Sequence, residues 1–308
     1  MSRIHEALKK AEQDRAATQG STIQPAFSSA TVLEVPPLPE AAVATMQPPI
    51  SLGSTPAFSG VYSLDELLAR CPQQEWKPDL STMLFLNGND DKQGTEQYRT
   101  LRSRLYHLRE RMNLKSILVT SSLPQEGKSF TASNLAQVMV RQHGRRVLLV
   151  DADLRGPRLH QMLGTAPGPG LSEYLLGQND EFSIMQRGPL ADLFFIPSGV
   201  HIENPAELVG NGRLKLLLQR VEPLFDWIIV DSPPAVPVSD ASVLAKACDG
   251  VLIVVRANVT PSDVARKARM EFPDPSLIGV VLNGADNRAA PYSHYYYEVY
   301  EKKVAQKV

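Results

Sequence analysis

The sequence is poor in several things, and each shortage excludes something. Cysteine occurs only twice, at Cys71 and Cys248. Two thiols are too few for a disulfide scaffold or a cysteine-ligated zinc cluster, and they suit a reducing compartment. No apolar run reaches the ~18 residues that a membrane-crossing helix requires. The opening Met-Ser-Arg-Ile-His-Glu-Ala-Leu is charged and amphipathic, unlike the apolar core of a secretion signal. An excess of charge of one sign is also missing: 32 Lys and Arg face 33 Asp and Glu. That balance gives nucleic acid no electrostatic footprint. His107, His143 and His160 show no ligand spacing. These shortages predict a cytoplasmic protein, held by a separate molecule if it works at a membrane. What the 308 residues do contain, 43% of it hydrophobic, suffices for one sizeable core.

The material changes along the chain. Residues 1–17 predict an amphipathic helix, capped at Ser2, with Ile4, Ala7, Leu8 and Ala11 on one stripe. Residues 18–78 read as a disordered linker, with prolines crowded at Pro36, Pro37, Pro39, Pro48 and Pro49. Within it, Ser63 and Glu66 have capping-box spacing at the start of a short helix near 63–70. The compact domain is expected over 79–286. A helix is predicted from Thr95 to Met112, with Tyr98, Leu101, Leu105, Leu108 and Met112 on one side. Short apolar runs then alternate with helical patterns, at Ser116–Thr120, Arg146–Val150, Leu193–Ile196, Trp227–Val230, Val251–Val255 and Ile278–Leu282. Continuous apolar strands alternating with helices predict an α/β fold, a parallel sheet flanked by helices. Such sheets bind ligands beyond the carboxyl ends of their strands. Residues 287–308 turn polar and tyrosine-rich, and read as a tail.

The segment Ser121-Ser122-Leu123-Pro124-Gln125-Glu126-Gly127-Lys128-Ser129 stands between an apolar strand and a helix. Backbone N–H groups of such a turn, with the helix N-terminus, cradle phosphates. Pro124, Gln125, Glu126, Gly127, Lys128, Ser129 and Phe130 are therefore candidate nucleotide contacts. Lys128 would reach the β- and γ-phosphates of ATP, and the Ser129 hydroxyl would ligate Mg²⁺. The usual pattern opens with glycine six residues before the lysine, where this chain has Ser122. Two further apolar runs end in acid, at Asp151-Ala152-Asp153 and at Asp231-Ser232-Pro233-Pro234. Each carboxylate falls at the sheet edge where phosphate and Mg²⁺ would lie, and Mg²⁺ prefers such hard oxygen ligands. A single Asp there also suits a helix cap or a turn.

Five of the nine tyrosines, Tyr292, Tyr295, Tyr296, Tyr297 and Tyr300, lie in one nine-residue window. They suit either phosphate acceptors or an aromatic contact patch. Glu96, Arg99 and Arg102 share one side of the helix near residue 100, and a solvated charged face is the usual meaning of that spacing.

Taken together, these residues resemble the bacterial tyrosine kinases of capsule and exopolysaccharide synthesis. The resemblance covers about residues 92 to 303, with Walker A at 120–129, Walker A′ at 151–157 and Walker B at 230–234. It includes Glu96-x-x-Arg99-x-x-Arg102, similar to the family's subunit-contact motif, and the tyrosine cluster. The MinD/ParA-type partitioning and cell-division ATPases share the Walker segments, but carry a lysine where this chain has Leu123. Many members of the kinase family have glycine where this chain has Gln125, and arginine where it has Gly156.

The resemblance implies a P-loop NTPase fold and autophosphorylation of the tail in trans, regulating polysaccharide polymerisation and export. It implies ATP and Mg²⁺ as cofactors and Lys128, Asp151, Asp153 and Asp231 as catalytic residues. Asp151 would be the base, and Ser129, Asp153 and Asp231 the metal ligands. It also implies a membrane-anchored co-polymerase as activating partner, which recruits the chain to the inner face of the membrane. The unphosphorylated protein would form a homo-oligomeric ring through Glu96, Arg99 and Arg102. The alternatives are a membrane-recruited ATPase switch that marks no tyrosine, and an inactive scaffold that senses nucleotide.

Overall fold

The computed structural model describes residues 63–285, apart from 72, 86–93 and 275. The predicted N-terminal helix and the tyrosine-rich tail lie outside the described residues. So does most of the proline-rich linker.

Fifteen residues form the first long helix, and most of the other described residues wind around one sheet. In chain order the elements are α1 (Leu64–Arg70), α2 (Thr95–Arg109), β1 (Ser116–Ser121), α3 (Lys128–Val140), β2 (Val147–Asp151), α4 (Leu159–Leu163), α5 (Leu171–Leu175), β3 (Gln186–Arg187) and β4 (Leu193–Ile196). They continue with α6 (Pro205–Val209), α7 (Arg213–Val221), β5 (Trp227–Asp231), α8 (Asp240–Ala245), β6 (Gly250–Arg256), α9 (Ser262–Met270) and β7 (Leu277–Asn283). The strand order is β3-β4-β2-β5-β1-β6-β7. All pairings are parallel except β3 with β4, which is antiparallel.

The alternation of side chains along each strand sorts the core into two layers. Leu118, Leu148, Val150, Ile228, Val230, Val251 and Ile253 point to one face, where α5, α6, α7, α8 and α9 pack. Ile117, Val119, Val147, Leu149, Trp227, Ile229, Leu252 and Val254 point to the other, under α2, α3 and α4. Because both faces are covered, β1, β2 and β5 are buried along their whole length. This is the physical reason their sequences are continuous apolar runs instead of alternating ones. Each central strand then ends in a buried polar residue at its carboxyl end: Ser121, Asp151 and Asp231.

The N-terminal side of the described chain differs from the sequence expectation. The α1 cap is formed as its spacing predicts, with the Glu66 N–H donating to Ser63 Oγ at 3.1 Å. Yet the expected boundary at residue 79 falls inside packed structure. Leu67, Cys71 and Trp76 are buried in the core. Residues 82–84 are stitched to α3 by Asn134, whose side chain accepts from Leu84 N at 2.9 Å and donates to Thr82 O at 2.9 Å. Isolated apolar residues among polar ones carry no periodicity, so this strap was not visible as part of the core.

Candidate functional site

The site stands at the carboxyl ends of β1, β2 and β5. After β1 the chain turns through 122–127 into α3. That turn has a left-handed backbone at two positions before the helix, Gln125 at φ 65° and Gly127 at φ 94°. Gly127 has a second reason to be glycine: a Cβ there would meet the Asn283 amide nitrogen at 2.1 Å. Gln125 holds its conformation without that freedom, at the position where glycine is common in the resembling family. A non-glycine residue with positive φ is strained, and such strain gathers at ligand-binding loops.

The turn is clamped from beneath. The buried Glu126 carboxylate accepts the Leu123 N–H at 2.9 Å and the Thr260 hydroxyl. Asn283 donates to the Glu126 carbonyl at 2.9 Å, and Arg256 to the Gln125 carbonyl at 3.4 Å. Pro124 and Gln125 are exposed, and the Phe130 ring meets Tyr98 edge-on. Thr260, Asn283 and Arg256 were not singled out from sequence. They follow or end β6 and β7 at the same sheet edge, and that position was the available signal.

Lys128, Ser129, Asp153 and Asp231 meet in one buried knot. Lys128 Nζ donates to Asp153 Oδ2 at 2.6 Å and to Ser129 Oγ at 3.2 Å, and lies 3.8 Å from Asp231 Oδ2. Ser129 Oγ donates to Asp231 Oδ2 at 2.5 Å. Asp151 is paired in register with Asp231 across β2 and β5. It accepts N–H groups from Asp153 at 3.3 Å and Leu159 at 3.2 Å.

Three carboxylates thus face one ammonium in a place sealed from water. Burial pushes the Asp151 carboxyl well above its ordinary range, and the neighbouring Asp231 adds to the effect. Burial raises Asp231 to about 6, against the lowering pull of Lys128 and the Ser129 hydroxyl. Burial alone would lower Lys128, but Asp231 and Asp153 more than offset it and hold the ammonium charged.

The arrangement fits a divalent cation. It is short of positive charge, and Asp231 Oδ1 is buried without a hydrogen-bond partner among the described residues. The Lys128 ammonium already sits among Ser129, Asp153 and Asp231, so these three groups converge on a point that accepts a cation.

The other sequence candidates are placed as follows. Glu96 and Arg99 form an ion pair with each other along α2. Arg102 donates to the Val138 carbonyl at 2.9 Å, in the last turn of α3, where carbonyls lack helical partners. The five tail tyrosines lie outside the described residues.

Comparisons with known proteins bear on the family and the fold. A family model described as an AAA domain matches residues 117–262. The chain is 35% identical over 205 residues to tyrosine-protein kinase YwqD of Bacillus subtilis, covering 66% of this chain and 85% of that one. It is 31% identical over 222 residues to tyrosine-protein kinase wzc of Salmonella typhimurium, covering 71% of this chain but 31% of the relative. The chain therefore spans most of the Bacillus protein and less than a third of the Salmonella one. Among solved structures, the kinase domain of Escherichia coli tyrosine kinase ETK superimposes with a TM-score of 0.63 at 30% identity, over 70% of this chain and 82% of that one. The chimerical protein CapA2B2 gives 0.63 at 28% identity, over 70% and 96%. With sequence shared along most of one such kinase and fold shared with the kinase domain of another, the chain belongs to the family of bacterial tyrosine-protein kinases.

Proposed function

We propose that the chain is an ATP-dependent protein-tyrosine autokinase, which phosphorylates Tyr292, Tyr295, Tyr296, Tyr297 and Tyr300 in trans between subunits. The observation that carries this reading is the knot of Lys128, Ser129, Asp153 and Asp231 beneath a turn whose backbone is left-handed at Gln125 and Gly127. Lys128 and the backbone N–H groups of 124–130 would bind the phosphates of ATP. Ser129, Asp153 and Asp231 would hold Mg²⁺, which supplies charge neutralisation at the phosphates. Asp151 would take the proton from the attacking tyrosine. A phenol with pKa near ~10 needs such a base at neutral pH, and a carboxyl raised by burial is better matched to the task. The tyrosine oxygen forms its bond to the γ-phosphorus as the bond to the ADP oxygen breaks, and ADP leaves. Most of the acceleration would come from alignment and charge.

The wider role follows the same reading. A membrane-anchored co-polymerase would recruit the chain to the inner face of the membrane and activate it there for exopolysaccharide or capsule export. Among the described residues no helix is long and apolar enough to cross a membrane. Unphosphorylated chains would assemble into a ring, with Glu96, Arg99 and Arg102 at the subunit contact.

Incubation of the full chain with ATP and Mg²⁺, followed by mass spectrometry of tail peptides, tests the activity. Phosphate should appear on the five tail tyrosines and vanish when all five are changed to Phe. Hydrolysis of ATP with no phosphotyrosine would instead mark an ATPase switch. Light scattering tests the ring. Arg99→Ala should lower the mass of the unphosphorylated assembly without altering thermal stability. Arg102→Ala should lower both the mass and the thermal stability, because it also removes the hydrogen bond to α3, worth about 1 kcal/mol. Unchanged mass in both variants would remove the ring from the proposal.

A further inference from the structure

Two loops carry the carboxylates of the site, and one side-chain pair outside the site joins them. The loop after β2 holds Asp153, and the loop after β5 leads from Asp231 to Asp240, the first residue of α8. Arg155 reaches from the first loop to the second. Its Nε donates to Asp240 Oδ2 at 2.8 Å and its Nη2 to Oδ1 at 3.0 Å. This is a bidentate fork, which only arginine among the cationic side chains forms. Asp240 is 1% exposed, while the Arg155 side chain remains 41% exposed.

The sheet itself sets Asp151 opposite Asp231, but its reach ends there. The Ala152 N–H still bonds the Asp231 carbonyl at 2.9 Å. Asp153 lies beyond that ladder, on a turn closed by the Gly156 N–H donating to Asp153 Oδ1 at 3.0 Å. Arg155 belongs to that same turn. The fork on Asp240 therefore ties the turn carrying Asp153 to the strand-to-helix loop that begins at Asp231. An ion pair whose cation stays half-exposed contributes little net stability. A pair of this kind makes its difference through the geometry it imposes.

We propose that Arg155 and Asp240 are positioning residues, a latch that sets the distance between Asp153 and Asp231 and hence the fit of a divalent cation between them. The inference rests on the assignment of Asp153 and Asp231 as cation-holding groups made above. Their effect passes through Asp153, and a displacement of about 1 Å at such a centre costs on the order of 100-fold in rate.

The test uses the full chain and three changes. Arg155→Lys keeps the charge and loses the fork. Asp240→Asn keeps the shape and loses the charge. The double variant Arg155→Met/Asp240→Leu removes both charges and leaves no unpaired ion, so it carries the test if the single variants do not fold. Binding of ADP is measured in EDTA and across a Mg²⁺ titration, with melting temperature recorded alongside. ATP-dependent tail phosphorylation supplies kcat and KM. ADP affinity in EDTA should change less than the Mg²⁺ response does, because the backbone N–H groups of the phosphate turn are unaltered and only the Lys128–Asp153 contact links it to the latch. The Mg²⁺ concentration that half-saturates the tightening of ADP should rise by about tenfold, and kcat should fall by about 10- to 100-fold at little-changed KM. A folded double variant with the wild-type Mg²⁺ response and kcat overturns the latch. Failure of the underlying assignment looks different: wild-type protein would then show no Mg²⁺ effect on ADP binding at all.

Discussion

Strands β5 and β7 run in the same direction and finish at the same sheet edge, yet they are built in opposite ways. Every residue of β5 is buried, and it ends on Asp231. β7 closes the sheet, with Val280 58% and Leu282 61% exposed. Beside it runs a groove of about 570 Å³, lined by Leu84, Tyr98, Leu101, Phe130 and Val281 among others. The two strands also end on different chemistry. Asp231 is a carboxylate whose affinity for protons is raised by burial, whereas Asn283 is a neutral amide that fastens the phosphate turn. The difference teaches that proton affinity in this sheet is raised by sealing a charge inside it. The open edge supplies fastening.

The largest break in that comparison should come from Lys128→Met. Tail phosphorylation should fall by at least ~100-fold, since a phosphate-binding cation is lost. The buried carboxylates also lose their counter-charge, so the variant should be less stable than wild type at pH 7 by about 3 kcal/mol. The deficit should shrink at pH 5, where the carboxyls take up protons. Wild-type labelling in a folded Lys128→Met protein would remove Lys128 from the phosphate site.

Core truncation sharpens the same contrast between strands. Ile229→Ala, inside β5, should cost about 2–5 kcal/mol in urea unfolding. Val280→Ala, on the exposed side of β7, should stay within about 0.5 kcal/mol. Comparable losses at the two positions would mean that β7 is covered in solution.

The nucleotide-free protein should also carry a particular pH signature. A carboxyl whose folded-state pKa lies above its unfolded value binds extra protons when folded. Its contribution to stability is therefore full below the unfolded value of 3.8 and is lost as pH rises through about 6, the folded value for Asp231. Asp151 is shifted in the same direction, first by burial and then by Asp231. Raising the pH from 5 to 7 should lower stability on the order of 2 kcal/mol from this source. Mg²⁺ with nucleotide should flatten the slope. A melting temperature that rises steadily over that range in the nucleotide-free protein, and does so equally in Asp231→Asn, would contradict the sealed-charge account.

The smallest effect concerns backbone strain. Gln125→Gly should change stability by less than about 1 kcal/mol, because relief at φ 65° is offset by the greater freedom of glycine in the unfolded chain. A larger loss would show that the Gln125 side chain makes a contact of its own.

Much of the sheet was legible because buried parallel strands leave continuous apolar runs. The expected runs and the observed strands differ by a residue or two at their ends, and the helix expected to reach Met112 stops at Arg109. β3 was not anticipated, since two residues against β4 leave no pattern to read. The carboxylates of the knot were legible because strand ends on this fold type face the ligand edge, so Asp151 and Asp231 announce themselves by position. What surrounds them was not. Glu126 looks like one more residue of the phosphate turn, and nothing local says that its side chain turns inward to Leu123 and Thr260. Arg155 and Asp240 are 85 residues apart, and only the folded sheet brings their charges together. The same holds for Trp76, a lone aromatic in a polar stretch that meets Phe195 of β4 on one face of the sheet.

The parallel order of the strands also governs when the site comes into being. Ser129 meets Asp231 across 102 positions of chain, and Asn283 meets the Glu126 carbonyl across 157. Loops of that length must close before either bond forms, which places such pairings late and makes their assembly slow. On that ordering a partly refolded chain should gain helices and hydrophobic layers before a phosphate turn of the right shape. Recovery of nucleotide binding should lag behind recovery of helical circular dichroism during refolding, so ligand affinity serves as a clock for the final docking of β7.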